Sequence, residues 1–216
     1  MRKGGLRTAF FCCAVEITDL AWATRNRRQL PMTIYIRDAS YADLFAITDI
    51  YRDSVENGVA SYELTPPDLE EMTKRFDAIT SQQYPYIAAE DEAGNLLGYA
   101  YASAFRTRPA YRWLVEDSIY LAPEARGKGT GRALLKELLR RCEDLGFRQM
   151  VAVIGGASPA SVSLHQGLGF EVTGTLRGTG FKHGRWLDTV LMQIALGDGT
   201  ETDPDLAAYP GSLFAG

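Results

Sequence analysis

Apolar and polar positions change period several times along the chain, and each change predicts an element. Residues 33–37 alternate as a short strand. Asp38-Ala-Ser40 then supplies capping residues for a helix with Leu44, Ile47, Tyr51 and Val55 on one face, stopped by Asn57-Gly58. Pro66-Pro67-Asp68 opens a second helix carrying Leu69, Met72, Phe76 and Ile79 at helical spacing. The pattern turns strand-like over Tyr86–Glu90 and Leu96–Phe105, a hairpin joined by the turn residues Asp91-Glu-Ala-Gly-Asn95. A further strand spans Leu114–Leu121 and halts at Pro123.

The strongest helix follows, with Ala133, Leu134, Leu135, Leu138, Leu139 and Cys142 in an apolar stripe and Gly146 as its left-handed stop. Met150–Ile154 is unbroken apolar sequence, the signature of a strand buried on both faces. Ser158-Pro159 caps a short helix to about Leu168, and Phe170–Leu176 and Trp186–Leu196 close the pattern as two strands. One mixed α/β domain over 32–196 is the sum. Residues 1–31 show no amphipathic period and read as a loose N-terminal extension, with Met32 as an alternative start; 197–216 read as a polar C-terminal tail.

Composition removes several classes of function. With 46% hydrophobic and 23% charged residues the chain is globular, not wholly disordered. Its 23 basic and 27 acidic residues leave a net charge of −4, which argues against nucleic acid as a partner. No apolar run reaches the roughly 20 residues of a membrane span. The basic start and the apolar Ala9–Val15 are cut short by Glu16 and Asp19, against a secretory signal. Cys12 and Cys13 are adjacent and Cys142 is remote, giving neither a disulfide framework nor a zinc spacing, and His165 and His183 alone build no metal site. A cytoplasmic protein without a metal is expected.

Chemistry concentrates in Arg126-Gly-Lys-Gly-Thr-Gly131, between a predicted strand and a predicted helix. Glycines there leave backbone N–H groups pointing outward, and the helix N-terminus adds partial positive charge, so the loop suits a pyrophosphate. Arg126, Lys128 and Arg132 add full charges. The spacing fits neither a P-loop nor a Rossmann turn. On its own the hexapeptide also admits the plainer reading of a glycine turn with solvated charges.

The surrounding sequence narrows this. Ile119 to Leu135 resembles the acyl-CoA loop of the GNAT N-acetyltransferase superfamily. Val115-Glu-Asp-Ser-Ile-Tyr120, Val151-Ala-Val-Ile-Gly155, Ser161-Val-Ser-Leu-His165 and Gly180–Asp188 resemble its phosphinothricin acetyltransferase branch. The resemblance covers about 32–196. It implies the GNAT fold, an α/β mixed sheet with splayed central strands and flanking helices, and acetyl-CoA as cosubstrate. It also implies a homodimer and a small amine or amino-acid substrate of the phosphinothricin or methionine sulfoximine class.

Residue by residue, the resemblance implies that Ile119, Tyr120 and Leu121 lie along pantetheine. Arg126, Gly127, Lys128, Gly129, Thr130, Gly131 and Arg132 would hold pyrophosphate, and Ser158 and Ser161 would complete the donor site. Ser158 stands where the family usually carries Asn, and it reads equally as a plain helix cap. Glu116 occupies the position of the general base, and His165 that of the acid that protonates the leaving thiolate. Cys142, in a helix stripe, reads as core and not as a nucleophile, which favours direct transfer. Arg106, Arg108 and Tyr111 resemble the branch's substrate loop, with Tyr62 and Lys182 as further substrate contacts; for each, a structural role remains open. Trp186 reads as core or dimer contact. Another amine, such as a protein N-terminus or a lysine, or an inactive acyl-CoA-binding module, are the alternatives.

Overall fold

Local capping starts the helices where the pattern places them. In the computed structural model, which describes residues 33–207, Asp43 closes a capping box with Ser40, whose backbone N–H donates to Asp43 Oδ2 at 2.7 Å. A single 3-10 turn then leads into α1 (Leu44–Asn57), which buries Leu44, Ile47, Tyr51 and Val55. Asp68 caps α2 (Leu69–Thr80) by accepting from the Glu71 N–H at 2.9 Å, and Met72 and Phe76 form its inner face. α3 (Thr130–Asp144) buries Leu134, Leu135, Leu138 and Cys142, and Gly146 follows it at φ 88°. α4 (Pro159–Gln166) is capped by Ser158. The expected extension at 1–31 and the tail beyond residue 207 lie outside the described residues.

The strands are β1 (Tyr35–Asp38), β2 (Tyr86–Glu90), β3 (Leu96–Ala104), β4 (Leu114–Leu121), β5 (Gln149–Gly155), β6 (Glu171–Lys182) and β7 (Arg185–Ala195). They form one sheet in the order β1-β2-β3-β4-β5-β7-β6, antiparallel throughout except for β4 and β5. That parallel join has three rungs: Leu114 with Gln149, Val115 with Met150, and Glu116 with Val151. Beyond Glu116, β4 stays with β3 as far as Leu121, while β5 stays with β7 as far as Gly155. The sheet therefore opens between β4 and β5.

Three expectations need correction. β6 runs to Lys182, not Leu176, with register shifts after Val172 and Leu176; Gly174, Gly178 and Gly180 interrupt the apolar alternation that would have revealed it. Val153, expected to be buried on both faces, is 38% exposed beside the opening. Trp186, expected as core or dimer contact, is not core: it is 70% exposed and meets Phe181 edge-on.

The far end of β5 is tied down by Tyr62, from the loop between α1 and α2. Its hydroxyl accepts from the Gly156 N–H at 3.1 Å, lies 2.8 Å from Thr189 Oγ1, and donates to the Asp188 carbonyl at 3.0 Å. Its ring sits where a Cβ on Gly180 would come within 2.7 Å, so glycine is required there. Tyr62→Phe is expected to leave the Gly156 N–H unpaired and to lower the unfolding free energy by about 1–2 kcal/mol, measured by urea denaturation.

Candidate active site

Strand parity decides which groups reach the opening. The Trp113 carbonyl accepts from the N–H groups of Arg148 and Gln149, and the Ala122 N–H donates to Leu97 on the other side. Odd residues of β4 thus aim their backbone groups towards β5, and past Glu116 that means into the gap. Ile119 presents N–H and C=O there and Leu121 its N–H, its carbonyl being taken by Arg126, while Tyr120 faces β3 with its backbone and stacks its ring on Tyr99 at 5.3 Å.

At the wide end of the gap lies the glycine loop. Gly127 and Gly129 adopt left-handed φ values of 74° and 91°, and a Cβ on either would project into open space. No side chain caps α3, whose N-cap is Gly129, so its first-turn N–H groups face outward with the helix dipole behind them. Lys128 is exposed. Arg126 Nη2 binds Asp53 of α1 at 2.5 Å and the Leu121 carbonyl at 3.2 Å. Thr130 is buried, and a Cβ on Gly131 would meet Leu121 and Leu164 at 3.3 Å, so the loop sits hard against β4 and α4. The Arg132 guanidinium donates to the Gly167 carbonyl at 2.9 Å, which draws its charge to the end of α4 and leaves its backbone N–H to the loop. These groups fit an acyl-CoA: an anion cradle opens onto a slot of free strand edge.

Glu116 occupies the last rung before the gap, with Ser103 opposite on β3 and Val151 on β5. Burial pushes its carboxyl up from 4.5 to about 7; the neighbouring Asp117 charge adds to the rise and Arg106 opposes it. Arg106 lies over the Phe105 ring at 4.1 Å, and Tyr111 meets the other side of that ring edge-on at 6.2 Å. Arg108, at the cap of the short turn Pro109–Tyr111, is exposed on the same loop.

The remaining expected residues are placed differently. Tyr62 spends its hydroxyl on β5 and β7, so it holds the wall and does not offer that group to a substrate. Lys182 is buried, and its ammonium donates to the Ser61 carbonyl at 2.8 Å; burial lowers its pKa, with Glu63 opposing. Ser158 Oγ accepts from the Ser161 N–H at 3.5 Å as a helix cap. His165 is buried with both ring nitrogens engaged: Nδ1 lies 2.7 Å from the Ser161 carbonyl and Nε2 3.1 Å from Asp117 Oδ2. A ring held at both ends has no nitrogen left to face a thiolate, and the expected acid role meets that obstacle.

Sequence reasoning missed a polar chain on the helix side of Glu116. Tyr51 Oη lies 3.0 Å from Ser61 Oγ and donates to Glu63 at 2.8 Å, and Arg75 pairs with Glu63 at 2.7 Å. Tyr101, beneath this chain, feels the charges of Glu116, Arg75 and Glu63. No local motif marks it, because α1, the following loop and α2 each contribute one part. A shallow concavity of about 430 Å³ lies at the other end of α3, where Arg141 is paired with Asp38 and Arg140 with Asp144. No cluster of metal-ligating side chains occurs among the described residues, and none of their helices is long and apolar enough to cross a membrane.

Comparison with known proteins agrees with this geometry. The family model for an acetyltransferase (GNAT) domain matches residues 36–191. A phosphinothricin N-acetyltransferase of Alcaligenes faecalis is 49% identical over 76% of this chain and 83% of its own. An L-methionine sulfoximine/L-methionine sulfone acetyltransferase of Pseudomonas paraeruginosa is 43% identical over 80% of this chain and all of its own. The crystal structure of a GNAT phosphinothricin acetyltransferase from Sinorhizobium meliloti in complex with AcCoA is 63% identical, with a TM-score of 0.83, over 85% of this chain and 99% of that one. An opened sheet, a glycine cradle at its mouth and a family match over most of the domain lead to one assignment: the chain belongs to the GNAT acetyltransferase family.

Proposed function

We propose that this enzyme acetylates the α-amine of a small acidic amino-acid analogue, of the phosphinothricin or methionine sulfoximine class, with Glu116 as general base. The raised carboxyl of Glu116 at the last rung, where the gap begins, is the observation that carries this reading. Acetyl-CoA supplies an activated acetyl thioester when bound. The amides of the 127–132 segment with Arg126 would hold its pyrophosphate, and the free edge of Ile119 and Leu121 its pantetheine.

Only a neutral amine attacks an acyl carbon, so the residues around Glu116 must take up a proton. Raising the carboxyl from 4.5 to about 7 lowers the cost of moving that proton by about 3–4 kcal/mol, whichever amine supplies it. The same tuning leaves about half of Glu116 ionised, and so competent, at pH 7. Cys142 is fully buried within α3, and burial pushes its thiol well up, so it is unfit as an acyl carrier and transfer is direct. Arg106, Arg108 and Tyr111 form one loop around Phe105 that can fork onto a carboxylate or phosphinate and hold the amine towards Glu116. The homodimer implied by the resemblance would have the exposed Phe181–Trp186 pair of the β6–β7 hairpin to cover.

Gly129→Val places a branched side chain in the cradle and forces it to φ 91°. CoA affinity measured by calorimetry is expected to fall more than tenfold with the fold intact by circular dichroism, and an unchanged affinity sinks the cradle assignment.

Glu116→Gln keeps shape and removes the base. Turnover is expected to drop by roughly 10²–10⁴ with CoA affinity retained, and the deficit to shrink at high pH, where the amine loses its proton unaided. A deficit of constant size across pH would assign Glu116 a positioning role instead.

In a competition assay read by thiol release, phosphinothricin or methionine sulfoximine is expected to exceed lysine peptides and alkylamines in kcat/KM. Arg108→Ala is expected to act mainly on KM. Victory for lysine peptides would overturn the substrate class and leave the acetyltransferase reading in place.

A further inference from the structure

Asp117 stands at the first position of β4 that has no rung to β5, and its side chain is 3% exposed. It faces the side of the sheet that carries α3 and α4, where its Oδ2 meets His165 Nε2 at 3.1 Å; Oδ1 has no hydrogen-bond partner among the described residues. His165 belongs to α4, the helix whose Leu164 packs at Gly131 and whose cap, Ser158, faces the end of β5. Its other nitrogen, Nδ1, lies 2.7 Å from the Ser161 carbonyl, and its ring stands edge-on to Phe170 at 4.9 Å.

The nearest partner of each ring nitrogen is an acceptor, a carbonyl at Nδ1 and a carboxylate at Nε2, with the Ser161 hydroxyl farther off at 3.5 Å, an arrangement that favours a ring protonated on both nitrogens. Burial alone would lower the basicity of His165; the hydrogen bond and charge of Asp117, with the Ser161 carbonyl, outweigh it and hold the ring above its ordinary 6.5. Such a pair is a poor source of stability, since taking two charges out of water offsets most of their attraction, and here one oxygen is left unpaired. Its place is informative instead. Where the strand ladder ends, nothing but side chains can fix how far α4 stands from β4.

We propose that Asp117 and His165 form a clasp that pins α4 to β4 at the head of the gap, making them positioning residues for the acyl-CoA slot. The proposal rests on the reading of the gap as the acyl-CoA site. His165 then acts with its proton in place, and not by delivering it.

Nuclear magnetic resonance of ¹⁵N-histidine protein addresses the clasp directly, because the chain has two histidines, His165 and the turn residue His183. His165 is expected to be doubly protonated at pH 7.5 and to become neutral in Asp117→Asn. The groups that bear on this titration are Asp117 and Ser161 against the ring, and Glu116 and Cys142 around Asp117. A neutral His165 ring in the unaltered protein, or no response to Asp117→Asn, overturns the clasp whatever the gap binds.

Calorimetry with CoA gives the second arm. Asp117→Asn and His165→Gln are each expected to weaken CoA about tenfold, and the double variant no further, as members of one interaction do. Under saturating acetyl-CoA most of their kcat is expected to return. Unchanged CoA affinity with lost kcat would make His165 a proton donor and overturn the positioning role. Additive losses would also overturn it. Absence of CoA binding by the unaltered protein would instead overturn the acyl-CoA reading of the gap, leaving the resonance arm to decide the clasp.

Discussion

The site depends on a strand ladder that stops. Three rungs join β4 to β5, and each strand then follows its outer neighbour. Backbone groups left unpaired inside a protein are costly, so an opening of this kind persists where something else satisfies or solvates the edge. Tyr62 explains how β5 is held on its side: its hydroxyl ties Gly156 to β7, and a Cβ on Gly155 would come within 2.7 Å of the Val59 carbonyl. Closing the sheet would tear that end away from the loop. The opening thereby sets a strand edge that has left its β5 ladder beside a helix N-terminus without a side-chain cap among the described residues.

Electrostatics follows from the same point. Glu116 lies at the last rung, buried enough to hold its proton yet beside the opening that admits a substrate. Folded Glu116 keeps a proton to about pH 7, and the unfolded chain releases it near 4.5. Its contribution to stability is present below about pH 4.5 and is lost as pH rises through 7, so the ionised carboxylate is the form the fold disfavours. Asp117, next in sequence but on the opposite face, contributes to that rise, while its own charge is met by His165. Two adjacent carboxyls are thereby given different roles, since one faces the opening and titrates near neutrality while the other is locked in a pair.

Elements whose signal is local were legible in the sequence. β4 was bounded by its apolar alternation and Pro123, α3 by one continuous stripe, and α2 by Asp68 after two prolines. β6 was cut short because three glycines and two register shifts hide a strand of 12 residues. At the site, the glycine loop announced its own chemistry through spacing, and Glu116 was found through resemblance, since a carboxylate in a strand carries no local mark. Partnerships across the fold were hidden. His165 and Asp117 are 48 residues apart and Lys182 and Ser61 are 121 apart, so nothing in either neighbourhood records the other.

The two halves of the site are built from different materials, and this bears on what the family assignment conveys. The donor half consists of backbone: strand edge, glycine amides and a helix terminus, which many side-chain sequences can supply once the fold is present. The acceptor half consists of side chains, with Arg106 and Tyr111 of one loop packed on Phe105, and Tyr51 and Arg75 of two helices joined through Glu63. Exchange of one such side chain changes the amine that fits without disturbing the cradle. Membership of the family therefore fixes the reaction through the backbone half. Around Glu116, whose carboxyl is raised to about 7, the acceptor half carries an arginine-bearing loop, so its character is set one side chain at a time.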